Sequence, residues 1–202
     1  MKISNLSFLV LVLASLAFVS CKEEKKEEAD ETMEQNDEDI QAAEEAKMKE
    51  EARASSIASK AMATDNLSTL VSALEAADLA SMLSEPGNYT VFAPTDNAFS
   101  KLKKGQLEEL LQPENKEDLT VLLKNHVVSG KVMADQLRNA IETSKGKYTF
   151  KTVGGGELTA SMDGDQIVIK GERGKKSQVL QGNIEASNGI VHIVNDVLMP
   201  KM

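Results

Sequence analysis

The chain has two imidazoles, His126 and His192, and one thiol, Cys21. An imidazole can ligate a metal or move a proton near neutral pH, so these residues are weighed first. His126 follows Leu119, Leu122 and Leu123 at helical spacing, which puts it on an apolar face. His192 shares a strand face with Ile190 and Val194. Both settings favour a core histidine held by a hydrogen bond over a ligand. No carboxylate–histidine or cysteine–histidine spacing matches a zinc or two-metal site. Asp163-Gly164-Asp165 lacks the further acids and the closing Glu of a helix–loop–helix calcium site, and reads as a hairpin turn. Gly154-Gly155-Gly156 has neither the spaced glycines nor the following helix of a phosphate cradle. Ser129 lies near His126, but no nucleophile elbow surrounds it. Thr95 and Asp96 are placed to start a helix. The expectation is no catalytic residue, no metal and no cofactor: not an enzyme.

Cys21 has a different chemistry. Lys2 is followed by an apolar run from Phe8 to Val19, broken only by Ser15. A spanning helix needs about 20 such residues. The shorter run, after a positive charge and before small Ser20, describes a removable secretory signal at residues 1–20. Phe18-Val19-Ser20-Cys21 resembles the bacterial lipobox, with Phe18 where leucine is usual. That resemblance makes Cys21 the lipid-bearing new N-terminus. With a single cysteine, no internal disulfide can form. Acyl chains contribute about 0.8 kcal/mol per buried methylene, enough in combination to anchor the chain to a membrane. Lys22-Glu23-Glu24 resembles the lysine-plus-acids signal that sends some Bacteroidetes lipoproteins to the cell surface. It implies an outer-membrane lipoprotein at the cell surface, with the periplasmic face as the other placement.

Residues 21–54 carry 14 acids against 6 bases, a net of −8, out of −9 for the chain. So strong a charge with so few apolar residues predicts a solvated tether, assigned to residues 21–63. Glu45 and Lys49 stand at helical spacing, and a frayed helix without a packed face is expected from Asp39 to Met62. As a flexible chain of about 40 residues the tether would span about 35 Å. The acidic balance argues against a nucleic-acid partner.

Residues 64–202 suit one domain with an aliphatic core, since aromatics are 3% and Trp is absent. Leu67, Leu70, Val71 and Leu74 predict a helix capped by Asp65 or Asn66. Leu119, Leu122, Leu123 and His126 predict a second, and Met133, Leu137, Ala140 and Ile141 a third. Asn88 to Phe92 reads as a strand stopped by Pro94, with Thr95 capping the helix of Ala98 and Phe99. Beyond these come alternating strands around Tyr148–Phe150, Leu158–Met162 and Ile167–Ile169, the last two joined by a hairpin at Asp163-Gly164. Ile190–Val194 is apolar on both faces and should be central. The fold class is α+β.

Three ordered blocks resemble the fasciclin-like domain family. They are Thr90-Val91-Phe92-Ala93-Pro94-Thr95-Asp96-Asn97-Ala98-Phe99, the segment Leu122 to Gly130 around His126, and Asn188-Gly189-Ile190-Val191-His192 through Pro200. The likeness covers about residues 64–200. It implies helices packed against a β-wedge or sandwich, a role in adhesion or matrix and polymer binding, and no shared catalytic activity. The departures are Asn125, where the family has tyrosine, and Asn195, where it commonly has aspartate. The Asp-Ile step linked to integrin binding in animal matrix members reads Asn183-Ile184 here, so integrin recognition is not carried over.

The resulting expectation is a non-enzymatic envelope module that binds a protein or polysaccharide. The alternative is a periplasm-facing carrier or sensor of a small apolar ligand. That reading needs a cleft between helices and wedge lined by Met82, Met133, Met162 and Met199.

Overall fold

The computed structural model describes residues 31–201 except Lys104, with side chains described from residue 41 onward. The signal segment, Cys21 and Lys22-Glu23-Glu24 lie outside the described residues. The chain divides into two compact units, residues 1–43 and residues 44–202. In the first, the described residues are helical and open α1 (Glu31–Ala54). The remainder of α1, from Glu44, belongs to the second.

Two strands set the second unit. β1 (Tyr89–Pro94) and β7 (Gly189–Val194) pair in parallel, from Tyr89 opposite Gly189 to Pro94 opposite Val194. Every residue of β7 is buried, as expected for a strand apolar on both faces. Alternate side chains feed two cores. Val91, Ala93, Val191 and Ile193 face a helical layer, while Phe92 and Val194 enter the wedge.

The helical layer comprises α2 (Ile57–Met62), α3 (Ser68–Ala76), α4 (Asp96–Ser100), α5 (Gln106–Leu110) and α6 (Lys116–Lys124). Their buried faces carry Leu70, Ala73, Leu74, Phe99, Leu119, Leu122 and Leu123. Helix α6 ends at Lys124, so His126 lies beyond it rather than on its face, and β2 (Val127–Ser129) follows directly.

The wedge is a continuous sheet in the order β2-β1-β7-β6-β5-β4-β3. β3 (Lys147–Lys151), β4 (Glu157–Asp163), β5 (Gln166–Lys170) and β6 (Lys176–Ala186) run antiparallel, and a two-residue turn at Gly164-Asp165 joins β4 to β5. β6 is long and irregular. Its register against β7 shifts on either side of Gln181, which bends the sheet. The bend brings the two ends of the sheet together: Val128 bridges Thr152, and the Val153 N–H donates to the Val127 carbonyl at 2.8 Å. Phe150, Leu158, Ala160, Ile167 and Ile169 fill the interior. α7 (Ala134–Thr143) closes it with Leu137 and Ile141. The mixture of helices and antiparallel strands is the α+β class expected from the sequence.

The packing moves one boundary. A solvated tether up to residue 63 would have no packed face, yet Ile57, Ala58 and Ala61 are buried in the helical core, Ile57 at 1% exposure. α1 stops at Ala54, and Ser56 caps α2, its hydroxyl accepting from the Ser59 N–H. That break turns the second helix inward. Three apolar residues in a short helix give too little periodic signal to stand out after an acidic run. Removing the Ile57 side chain deletes core volume, so Ile57→Ala is expected to cost about 2–5 kcal/mol in urea denaturation. A change under about 0.5 kcal/mol would be surface-like and would exclude the segment from the folded unit.

Candidate functional site

The residues that the sequence singled out lie in and around the β1–β7 pair, and most of them are spent holding the fold. His126 is 2% exposed. Its Nδ1–H donates to the Leu122 carbonyl at 2.8 Å, and its Nε2 accepts from the Leu198 N–H at 2.9 Å. This pattern requires the neutral ring. Asn125, beside it, donates to the Leu198 carbonyl at 3.1 Å and accepts from the Thr152 hydroxyl at 3.3 Å. The two side chains therefore grip both polar groups of Leu198 and lock the chain's end against β2. With both ring nitrogens occupied, neither serves Ser129.

His192 is 1% exposed and is the mirror case. Its Nε2–H donates to the Val132 carbonyl at 2.9 Å, and Nδ1 accepts from the Asn183 N–H at 3.3 Å. The ring stacks on Phe92 with centroids 5.6 Å apart. Asn183 adopts a left-handed conformation in the irregular part of β6, and its Oδ1 accepts from the Ala134 N–H at 2.7 Å, capping α7. Thr90 lies on the same face of the pair as His192. Its hydroxyl donates to the Gly130 carbonyl at 2.6 Å and accepts from the Val132 N–H at 2.9 Å. Thr90 and His192 thus pin the 130–133 loop.

Asn188 fastens the start of β7 to the helical layer. Its Oδ1 accepts from the Ile57 N–H at 2.9 Å, and its Nδ2 donates to the carbonyls of Leu83 and Glu85. The next residue must lack a side chain. A Cβ on Gly189 would overlap the Tyr89 carbonyl oxygen and lie 2.7 Å from Ile57 Cδ1.

Thr95 caps α4 as expected, accepting from the Ala98 N–H at 3.2 Å. Asp96 opens α4, also as expected, and has a second task. It follows Pro94 at the end of β1 and reaches α3, where its carboxylate accepts from the Thr69 N–H at 2.7 Å and the Ser68 hydroxyl at 2.9 Å. The expected local caps, Asp65 or Asn66, do not cap α3; Leu67 holds that position without a side-chain bond. Burial pushes the Asp96 carboxyl up, but the bonds from Thr69 and Ser68 together outweigh it, so its pKa falls below the usual aspartate value. Phe99 lies in the helical core.

Asn195 accepts from the Gln178 N–H at 2.9 Å and the Ser177 hydroxyl at 3.3 Å, tying β6 to the end of β7. Beside it Asp196 receives Lys101 at 3.1 Å, and Lys175 stands at 2.5 Å as an ion pair without hydrogen-bond geometry.

Asp163-Gly164-Asp165 forms the hairpin turn, and Gly154-Gly155-Gly156 bends the chain between β3 and β4. Among the described residues no group of three or more His, Cys, Asp or Glu side chains gathers at metal-binding distance. The four methionines proposed to line a cleft do not converge. Met199 is buried and Met82 half-buried with the helical core, Met162 packs on the wedge core, and Met133 is exposed. One hollow of about 620 Å³ is open to solvent beside the Pro113–Asn115 turn and α6, lined by Glu114, Lys116, Glu117, Thr120 and Val121. It is not a cleft between helices and sheet.

Burial holds the His126 pKa down to about 4 from an ordinary 6.5, against the opposing pull of the Leu122 carbonyl. Burial lowers His192 as well, against the Val132 carbonyl. The unfolded chain therefore takes up these protons first as pH falls. Stability from His126 is full above about 6.5 and is lost as pH falls from there toward about 4. Urea midpoints measured across this window are expected to decline, with a smaller slope in His126→Gln. An equal slope in the variant would overturn the neutral, buried assignment. Asp96→Ala is expected to cost about 1–2 kcal/mol at neutral pH by uncapping α3.

The family model described as "Fasciclin domain" matches residues 65–200. The cyanobacterial Protein sll1483 of Synechocystis is 39% identical over 153 residues, covering 74% of this chain and 76% of that protein. A second Synechocystis protein, Uncharacterized protein sll1735, is 38% identical over 143 residues, covering 69% of this chain and 93% of its own length. Human periostin is 30% identical over 138 residues, 68% of this chain but 15% of the far longer periostin. Fasciclin domains are typically adhesion or binding modules in non-enzymatic proteins. On the matched span and on the two cyanobacterial relatives, the chain belongs to the fasciclin-domain family.

Proposed function

We propose that the chain is a non-enzymatic binding or adhesion module of the cell envelope, anchored as a lipoprotein through Cys21. The observation that carries this reading is how the polar side chains within the family blocks are used. Thr90, Thr95, Asn125, His126, Asn188 and His192 are buried, and each is engaged in the hydrogen bonds that close the fold. Catalysis needs a base or nucleophile left free to meet substrate. Here such groups serve a rigid scaffold, and recognition falls to the exposed surface. The partner is a protein or polysaccharide outside the membrane.

The acidic segment serves as the stalk. Lipid on Cys21 sets one end, and Lys22-Glu23-Glu24 directs display to the outer face of the outer membrane. Many copies on one surface would raise avidity without new contacts.

The test is fractionation with protease digestion of intact cells. The wild-type chain is expected in the membrane fraction and open to protease while a periplasmic control survives. Cys21→Ala is expected to leave the membrane fraction. Membrane retention of that variant would defeat the lipid anchor, and protection of the wild type until the outer membrane is broken would defeat surface display.

A further inference from the structure

The outer face of the wedge carries charge of the opposite sign to the chain as a whole. The rows of the sheet come from strand register. Thr149 of β3 stands opposite Thr159 of β4, Thr159 opposite Lys170 of β5, and Lys170 beside Lys176 of β6. Two residues along, Lys147 stands opposite Ser161. Side chains at these positions share one face, because facing partners on neighbouring strands point the same way. Lys147, Lys151, Lys170 and Lys176 are all exposed. Of the acids on this face, Glu157 stands opposite Lys151, and Asp163 lies at the far turn.

Lys170 and Lys176 are the telling pair. They are direct cross-strand partners, both exposed, and among the described residues neither joins an ion pair. Like charges directly opposite in a sheet are destabilising. The Lys170 side chain runs toward the β5–β6 turn, with Cε 3.7 Å from where a Gly174 Cβ would stand, and exposed Arg173 lies in that turn beside Glu172, whereas Lys175 is paired with Asp196. A chain of net charge −9 with acids to spare leaves this repulsion standing. An anion lying across the two ammonium groups relieves it.

We propose that this face, centred on the row Thr149–Thr159–Lys170–Lys176, binds an acidic polysaccharide bearing carboxylate or sulfate groups. The row spans four strands, about 14 Å at 4.8 Å per strand, so it suits an extended polymer better than a single small anion. The Thr149 and Thr159 hydroxyls, 3.4 Å apart, and Ser161 present donors and acceptors matched to sugar hydroxyls. The lysines supply the charge. The row holds no aromatic side chain on which a base or a neutral sugar ring could stack, so charge and hydroxyl pairing must carry recognition. The inference rests on the binding-module reading and names its partner class and site.

The test measures retention of the full-length chain, purified in detergent, by dextran sulfate, a polyuronate and neutral dextran over a range of salt. Binding to both charged polymers and not to neutral dextran is expected, weakening as salt rises. Lys170→Gln with Lys176→Gln is expected to weaken it about tenfold and to lower the slope of log affinity against log salt by roughly two, one per lysine. Lys49→Gln with Lys60→Gln makes the same change in net charge elsewhere and should leave binding unaltered. The sheet variant should melt no lower than wild type, because it removes a repulsion. Equal weakening by both double variants would overturn the site, since net charge alone would then be responsible. Tight binding to anionic lipid vesicles or to single-stranded DNA that matches the polysaccharides would overturn the partner class. Cell attachment that survives the sheet variant would sink this inference and leave the adhesion reading standing, whereas no attachment by the wild type would sink the adhesion reading itself.

Discussion

The parallel pairing of β1 with β7 is the constraint from which most of this structure follows. Two strands buried on both faces leave no water for the polar groups at their ends, so those groups must be satisfied from within the protein. Parallel neighbours also cannot be joined by a hairpin. Nearly the whole domain lies in the crossover between them, first helices and then antiparallel strands. What returns from that long excursion is stitched to the pair by side chains: Asn188 just before β7, Thr90 and His192 on one face of the pair, and His126 and Asn125 between α6 and β2. The histidines suit this work because a neutral imidazole offers one donor and one acceptor on opposite sides of a ring that also packs as an apolar body. His192 uses all three features at once, with Val132, Asn183 and Phe92 around it.

Much of this was legible in the sequence where the signal was local. The apolar doublet pattern of β7, the alternation of β4 and β5, the turn at Gly164 and the buried face of α3 each reflect residues a few positions apart. The elements that escaped notice depend on distant partners. β6 has no clean alternation because its register slips against β7, leaving Leu180 exposed and Ser177 buried. β2 is three residues long, too short to show a strand pattern, and it follows directly on a helical period read through His126 although the helix stops at Lys124. α3 takes its cap from Asp96, which is near it only after β1 has been laid down. α2 was hidden at the end of an acidic run, where charge composition outweighed three small apolar contacts. Both histidines were expected to be core residues, and burial with two hydrogen bonds each is what the fold gives them. Their partners were not legible, because Leu198 and Val132 arrive from other parts of the chain.

Charge is divided as unevenly as polarity. The acids concentrate in residues 21–54, ahead of the folded core, while residues 55–202 hold 18 acids against 16 bases. Near balance in a domain permits local excess of either sign, and the register of β3 to β6 collects lysines on one side of the wedge. One chain thus carries an acidic segment and a lysine-bearing sheet face, two local fields of opposite sign. Long-range fields of this kind act on encounter rate and orientation more than on fold.

The two departures from the family pattern show how far the scaffold can vary without opening a site. Asn125 replaces a tyrosine in the midst of the core, and a buried amide there would be costly if left unpaired. It is paired twice, to the Leu198 carbonyl and the Thr152 hydroxyl, and so joins the segment after β7 to the bend after β3. Asn195 stands where aspartate is common, and its neutral Oδ1 still accepts from Gln178 and Ser177. The negative charge that it lacks is supplied one residue later by Asp196, which draws in Lys101 and Lys175. Both amides are thus paired within the fold. A fold that pairs such buried groups internally holds its framework rigid and leaves recognition to side chains on its outer faces.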